Sequence, residues 1–164
     1  MPEQETLRRA EEDKEEGKAS STQAGEFVRE EMHHVREGKH GARSTKQAIA
    51  IGLSKARRAG VDLPPPKRGK KKTRESAARA YAQGRSGRSR RPSARRSRAT
   101  SGALRREGRQ AASRSAIARQ ARTSARRRTS AQRSKAARKA AATKGRSGRS
   151  AAARKAARTR ARRS

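Results

Sequence analysis

Large apolar side chains are too few, and too unevenly placed, to give this 164-residue chain an ordinary core along its whole length. Alanine supplies 33 of the 47 hydrophobic residues. Only 14 larger ones remain, and of these Phe27 and Tyr81 alone are aromatic. Eleven of the 14 lie in residues 1–66, and the three beyond are Tyr81, Leu104 and Ile117. Ordering a residue costs about 1–2 kcal/mol of backbone entropy, whereas burial returns about 25 cal/mol per Å² of apolar surface. On that balance the sequence predicts a mostly disordered chain with a small all-α head.

Charge divides at the same place. Residues 1–66 hold 12 Asp and Glu against 12 Lys and Arg, whereas residues 67–164 hold 36 Lys and Arg against Glu75 and Glu107. The whole net charge of +34 therefore sits beyond Pro64, Pro65 and Pro66. Three segments are expected: an acidic, disordered lead over 1–20, a small helical-hairpin domain over 21–66, and a disordered polycationic tail over 67–164. Cysteine is absent, which removes disulfides, thiolate metal sites and a cysteine nucleophile. No apolar run approaches the roughly 20 residues that span a bilayer, and the acidic start lacks the apolar core of a signal peptide. A cytoplasmic protein with no membrane partner is the expectation.

The head carries clear helix punctuation. Val28, Met32 and Val35 recur at i, i+4 and i+7 with Phe27 beside them, and Gly38 follows as a stop, which predicts a helix over about 22–37. A second helix over about 45–59 opens on a Ser44/Gln47 capping box. Ile49, Leu53 and Ala56 form its apolar face, and Lys55, Arg57 and Arg58 load its negative end. Gly60 can take the left-handed conformation with Val61 packing back, and Pro64 bars continuation. Phe27, Val28, Met32, Val35, Ile49, Leu53 and Val61 are thus the expected packing face. A hairpin this small is marginal alone, which leaves room for dimerisation or ligand-assisted folding, and the face Ile49–Leu53–Ala56 needs the first helix or a second copy to cover it.

The tail reads as low-complexity text in which "GRSGRS", "SARR" and "KAAR" each occur twice without a fixed period. Alanine and arginine favour helix, but dense like charge opposes it. The expectation is coil in isolation and partial helix on nucleic acid. Arg90–Ser93 has the form of a basic-directed kinase site, although serine as filler in low-complexity sequence is the stronger reading. The acidic lead could fold onto the tail and temper it.

Solubility needs a net charge of only about 2–8 on a small domain, so +34 points to a polyanion, and nucleic acid is the abundant one. In the tail Arg outnumbers Lys 28 to 8, and its planar fork engages phosphate bidentately. The candidate contacts are Lys67, Arg68, Lys70, Lys71, Lys72, Arg90, Arg91, Arg95, Arg96, Arg105, Arg106, Arg126, Arg127, Arg128, Arg138, Lys139, Arg162 and Arg163. Only Tyr81 could stack on a base there, which argues against a single-strand platform. The expected function is sequence-neutral DNA binding and compaction by a histone-like, nucleoid-associated protein. RNA binding is one alternative, and an adapter whose head holds a protein partner is another.

Enzyme chemistry finds no support. His33, His34 and His40 fall near Glu30, Glu31 and Glu37, but "EEMHHVREGKH" is not H-E-x-x-H, and surface histidines with no metal are expected. "GKHGARSTK" misses the spacing of a nucleotide phosphate loop, although its glycines could lead one phosphate to a helix start. No cofactor and no small-molecule substrate are expected.

"STKQAIAIGLSKARRAGVDLP", from Ser44 to Pro64, resembles the core of a family of small, basic, uncharacterised bacterial proteins with a K-Q-A-I-A-I-G-L-S-x-A-R-R-A-G signature. The resemblance implies at most DNA binding and supplies no site residues. The tail resembles the basic tails of linker histones and bacterial histone-like proteins, and its arginine content brings it closer to protamines.

Overall fold

In a computed structural model, residues 2–87 and 93–161 are described, apart from the side chains at 143, 144, 152 and 155. The expectation of a mostly disordered, low-complexity chain is overturned: 76% of the chain is helical. The helices are α1 (Gln4–Glu15), α2 (Ser20–Glu37), α3 (Thr45–Arg58), α4 (Lys71–Arg85), α5 (Ala94–Arg105), a short 3-10 helix (Gln110–Ala112), α6 (Arg114–Arg126) and α7 (Ser130–Ala161). The chain divides into two compact units, Met1–Gln120 and Ala121–Ser164.

In the first unit, α2 and α3 form the central pair. Ser44 accepts from the Gln47 amide at 3.2 Å, and the Gln47 side chain accepts from the Arg43 amide at 2.9 Å, so both side chains serve the start of α3. Gly38 closes α2 in the left-handed region at φ 81°, with the Lys39 amide donating back to His34 O at 3.0 Å. Gly60, at φ 92°, ends α3 in the same way, and the Val61 amide reaches Ala56 O at 3.1 Å. Phe27, Val35, Met32 and Val61 are buried, while Val28, Ile49 and Leu53 pack on them half-buried.

The lead is helical, contrary to expectation. Thr6, Ala10 and Asp13 recur at i, i+4 and i+7 and form the buried face of α1 against α2. These side chains are small or polar, so a count of large apolar residues passes over them. The Glu3 amide donates to Glu30 Oε2 at 3.1 Å, and the Glu3 carboxylate holds His34 Nε2 at 2.8 Å and Lys39 Nζ at 3.0 Å. His34 first, then Lys39, pull the Glu3 carboxyl down to about 2. Other acids of the lead pair locally: Glu5 with Arg8 and Arg9, Glu11 with Lys14, Asp13 with Lys18. The lead is thus a docked part of the head, not a cover for the tail.

Residues expected to lie in a disordered tail complete this core. Ala111 and Ala112 are buried with Met32, Val35, Ala42 and Ala48, and Ile117 packs against them. Thr45 Oγ1 donates to Ala111 O at 2.6 Å, and Arg36 Nε donates to Ala112 O at 2.8 Å. The amides of Gly41 and Ala42 donate to Leu104 O and Gly108 O at 2.9 and 3.1 Å. Those two bonds occupy the Gly41 and Ala42 amides of "GKHGARSTK". The apolar face of α3, expected to be covered by the first helix or a second copy and not by the tail, is covered by α2 together with Ala111, Ala112 and Ile117.

α4 packs on α3 through Ala77 and Ala80. Tyr81 hydrogen-bonds Asp62, and Arg85 lies 5.7 Å from its ring centroid, so the one aromatic of the basic region is already engaged. Buried Arg57 donates to Leu63 O at 2.9 Å, which anchors the approach to the prolines.

The α-helices beyond residue 93 begin on serine or threonine caps. Ser93 accepts from the Arg96 amide at 3.4 Å, and Ser113 accepts from the Ala116 amide at 3.2 Å. Thr129 and Gln132 bond reciprocally, at 3.1 and 3.2 Å, in a capping box that opens α7. These three residues set helix starts and are not filler. In α7, 12 of 32 residues are alanine, and the helix is interrupted by non-helical φ/ψ at Gly145. Like-charge pairs oppose a helix by only about 0.2–0.5 kcal/mol each. Caps and alanine propensity outweigh that, which corrects the expectation of coil in isolation.

Gly52 sets the separation of α2 and α3, because a Cβ there would lie 2.7 Å from Val28 Cα and 2.9 Å from Phe27 O. Gly52→Ala is expected to lower stability by about 1–3 kcal/mol through overpacking. Gly25→Ala, with nothing within 4 Å of the new methyl, is expected to be neutral or to gain about 0.5–1 kcal/mol from helix propensity. Urea unfolding followed by circular dichroism distinguishes the two. The same measurement on a chain ending at Gly87 is expected to show a marked loss of head stability, because Ala111, Ala112 and Ile117 are removed.

Candidate nucleic-acid interface and a buried charge cluster

Lys67, Arg68, Lys70, Lys71, Lys72, Arg95, Arg96, Arg105 and Arg106 are all exposed in the first unit. In the second unit Arg126, Arg127, Arg128, Arg138 and Lys139 are exposed. Arg90, Arg91, Arg162 and Arg163 lie outside the described residues. None of α4, α5, α6 and α7 has an acidic residue in its first turn. Cations stand there instead: Lys70, Lys71 and Lys72 at α4, Arg95 and Arg96 at α5, Arg114 at α6. A helix N-terminus bears about half a positive charge, and a cation beside it is disfavoured by roughly 0.3–1 kcal/mol unless an anion is near.

Glu75 is the only acid between residues 67 and 106, and Lys71 Nζ stands 3.9 Å from it. Most acids of the head, in contrast, pair within the head, although Asp62 accepts from Tyr81 of α4. The basic helices therefore present a strong cationic field with little internal compensation.

A second constellation lies inside the head. Glu30 and Glu31, adjacent on α2, are 4% and 0% exposed. Lys55 of α3 reaches between them, its Nζ 3.0 Å from Glu30 Oε1 and 2.8 Å from Glu31 Oε2. Burial works against charge on Glu30, but the Glu3 amide, the Thr6 hydroxyl and Lys55 outweigh it, and its carboxyl titrates below the usual range. Burial likewise opposes the Lys55 charge, yet Glu31 and then Glu30 raise its ammonium above the ordinary value. Around Glu31 stand His34, one turn on along α2, and His40, which follows the reversal at Gly38. His40 Nε2 is 3.2 Å from Glu31 Oε1, and the two imidazoles meet edge to face at 6.0 Å.

Sequence reasoning placed these histidines on the surface. Their side chains are in fact only 12% and 18% exposed. The available signal was Glu31 and His34 at i, i+3, which puts them on one helix face. The return of His40 depends on the left-handed turn at Gly38, and spacing alone does not reveal it.

Removing the ammonium while keeping the packing strands two buried carboxylates. Lys55→Met is expected to cost about 3–5 kcal/mol in urea unfolding. Lys46→Met, at an exposed position of the same helix, is expected to stay within about 0.5 kcal/mol.

Among the described residues no helix is long and apolar enough to cross a membrane. Neither the curated proteins nor the solved structures contain a match to this chain. Residues 18–68 match a family described as a family of unknown function (DUF6496), and that span holds α2, α3 and the whole Glu30–Glu31–His34–His40–Lys55 cluster.

Proposed function

We propose that the protein binds nucleic acid, duplex DNA before RNA, through the phosphate backbone and without reading base sequence. The observation that carries this reading is the exposed cations gathered at the starts of α4, α5 and α6, where the helix dipole is also positive. A phosphate relieves both terms at once, because it accepts from the terminal amides and pairs with the side chains. The predominance of arginine over lysine beyond residue 66, 28 to 8, supports bidentate contacts. Tyr81, committed to Asp62 and Arg85, leaves no aromatic platform to favour single strands. Binding many phosphates neutralises and compacts DNA, and the nucleoid is the location that accompanies this activity.

The affinity is expected to be indifferent to duplex sequence and steeply dependent on salt. The plot of log K against log salt should fall by about 0.9 for each phosphate engaged. Fluorescence anisotropy with two unrelated 30-base-pair duplexes between 50 and 200 mM NaCl measures both. The triple variant Arg126→Gln, Arg127→Gln, Arg128→Gln should reduce the slope by about 2–3, one unit per lost phosphate contact at most. Arg8→Gln, in an ion pair of α1, should leave it unchanged. A flat salt response or a preference for one duplex sequence overturns the reading. Tighter binding to an RNA duplex of the same length reassigns the substrate.

A further inference from the structure

We infer that Glu31, His34 and His40 form a binding site for a divalent transition-metal cation of the zinc class. Among the described residues, one ligand atom from each of the three lies within 4.8 Å of the others. Glu31 is fully buried, and neither carboxylate oxygen accepts a hydrogen bond of good geometry, although Lys55 stands 2.8 Å from Oε2. With Lys55 on Oε2, Oε1 is left facing His40 Nε2 at 3.2 Å.

The far nitrogens of the two imidazoles determine what their near nitrogens offer. His40 Nδ1 lies 3.1 Å from Gly41 O, a carbonyl that can only accept, so that nitrogen carries the proton. His34 Nε2 lies 2.8 Å from the Glu3 carboxylate, which likewise only accepts. In the neutral imidazoles the lone pairs are therefore on His40 Nε2 and His34 Nδ1. His40 Nε2 then meets Glu31 Oε1 with two acceptors face to face, an arrangement that a cation between them satisfies. A metal-bound histidine commonly donates its other N–H to a carboxylate or a backbone carbonyl, and both forms of that support are present here.

Charge points the same way. Glu30 and Glu31 bring two negative charges and Lys55 returns one, so the buried cluster carries an excess of one negative charge. An N₂O donor set suits Zn²⁺, Co²⁺ or Ni²⁺ over the hard cations Ca²⁺ and Mg²⁺, and three protein ligands leave a fourth position for water. The ion would clip the loop after Gly38 to α2 and, through His34 and Glu3, hold the start of α1. This role lies apart from the phosphate contacts, which use other residues.

The test uses the full-length, untagged chain with Co²⁺ and Zn²⁺ alone. Titration with Co²⁺ should give one equivalent of uptake with visible d–d absorption that Zn²⁺ displaces, and Zn²⁺ should raise the melting temperature. His40→Gln and Glu31→Gln should each weaken uptake at least tenfold, with the helical circular dichroism of His40→Gln unchanged. His33→Gln, an exposed histidine outside the cluster, should bind as the parent does. Absence of saturable uptake overturns the inference. Uptake unchanged in His40→Gln, or lost in His33→Gln, also overturns it, because the ion is then held elsewhere.

Discussion

An alanine buries little more than a methyl group, so a core built from alanine holds only if the backbones come almost into contact. That constraint runs through the packing of α1, α2, α3, α4 and the 3-10 helix. Ala24, Ala48, Ala56 and Ala112 are fully buried, and glycines stand where two backbones meet. A Cβ at Gly52 would strike Val28 and Phe27, one at Gly84 would strike Arg57 O, and one at Gly41 would strike Glu107 O. Close approach increases the dispersion contacts per side chain and brings backbone groups within reach of each other. The hydrogen bonds from Gly41, Ala42 and Thr45 to residues 104–111 follow from that proximity. The large side chains Phe27, Met32 and Val35 anchor this arrangement, but they do not fill it.

The same constraint separates what was legible in the sequence from what was not. The start and stop of α3 could be read from Ser44, Gln47, Gly60 and Val61, because caps and turns are local chemistry with fixed offsets. The faces of α2 and α3 could be read because their apolar residues are large. α1 could not, since its buried stripe is Thr6, Ala10 and Asp13, which no hydrophobicity count favours. Nor could the contribution of Ala111 and Ala112, which are indistinguishable by composition from the exposed alanines of α7. Their burial is a matter of tertiary position. The caps at Ser93, Ser113 and Thr129 were legible in principle, yet they were hidden among the many other serines and threonines of the same segment.

The candidate sites divide along the same line. The cationic residues beyond 66 are evident from charge alone, because exposure is the default state of arginine and lysine. The cluster around Glu31 depends on a chain reversal and on a lysine 24 positions further along, so no spacing rule identifies it. The ion pair of Lys55 with Glu30 and Glu31 also explains why the head tolerates buried carboxylates. Removing these charges from solvent is costly, and the ammonium with the hydrogen bonds from Glu3 and Thr6 offsets that cost.

Electrostatics and packing are interleaved along this chain rather than assigned to separate halves. Residues 67–120 display cations on their outer faces and supply Ala77, Ala80, Ala111, Ala112 and Ile117 to the interior of the first unit. A truncation that removes the charge therefore also removes core, and its effect on binding cannot be separated from unfolding. Exchange of arginine for glutamine separates the two, since both residues favour helix and the alanine contacts are left in place. Under the proposed function, a cation carried on a helix that is already formed would meet a phosphate without the roughly 1–2 kcal/mol per residue that ordering a coil demands. Alanine thus serves both ends: it builds the close-packed head, and it keeps the basic segments helical against their own repulsion.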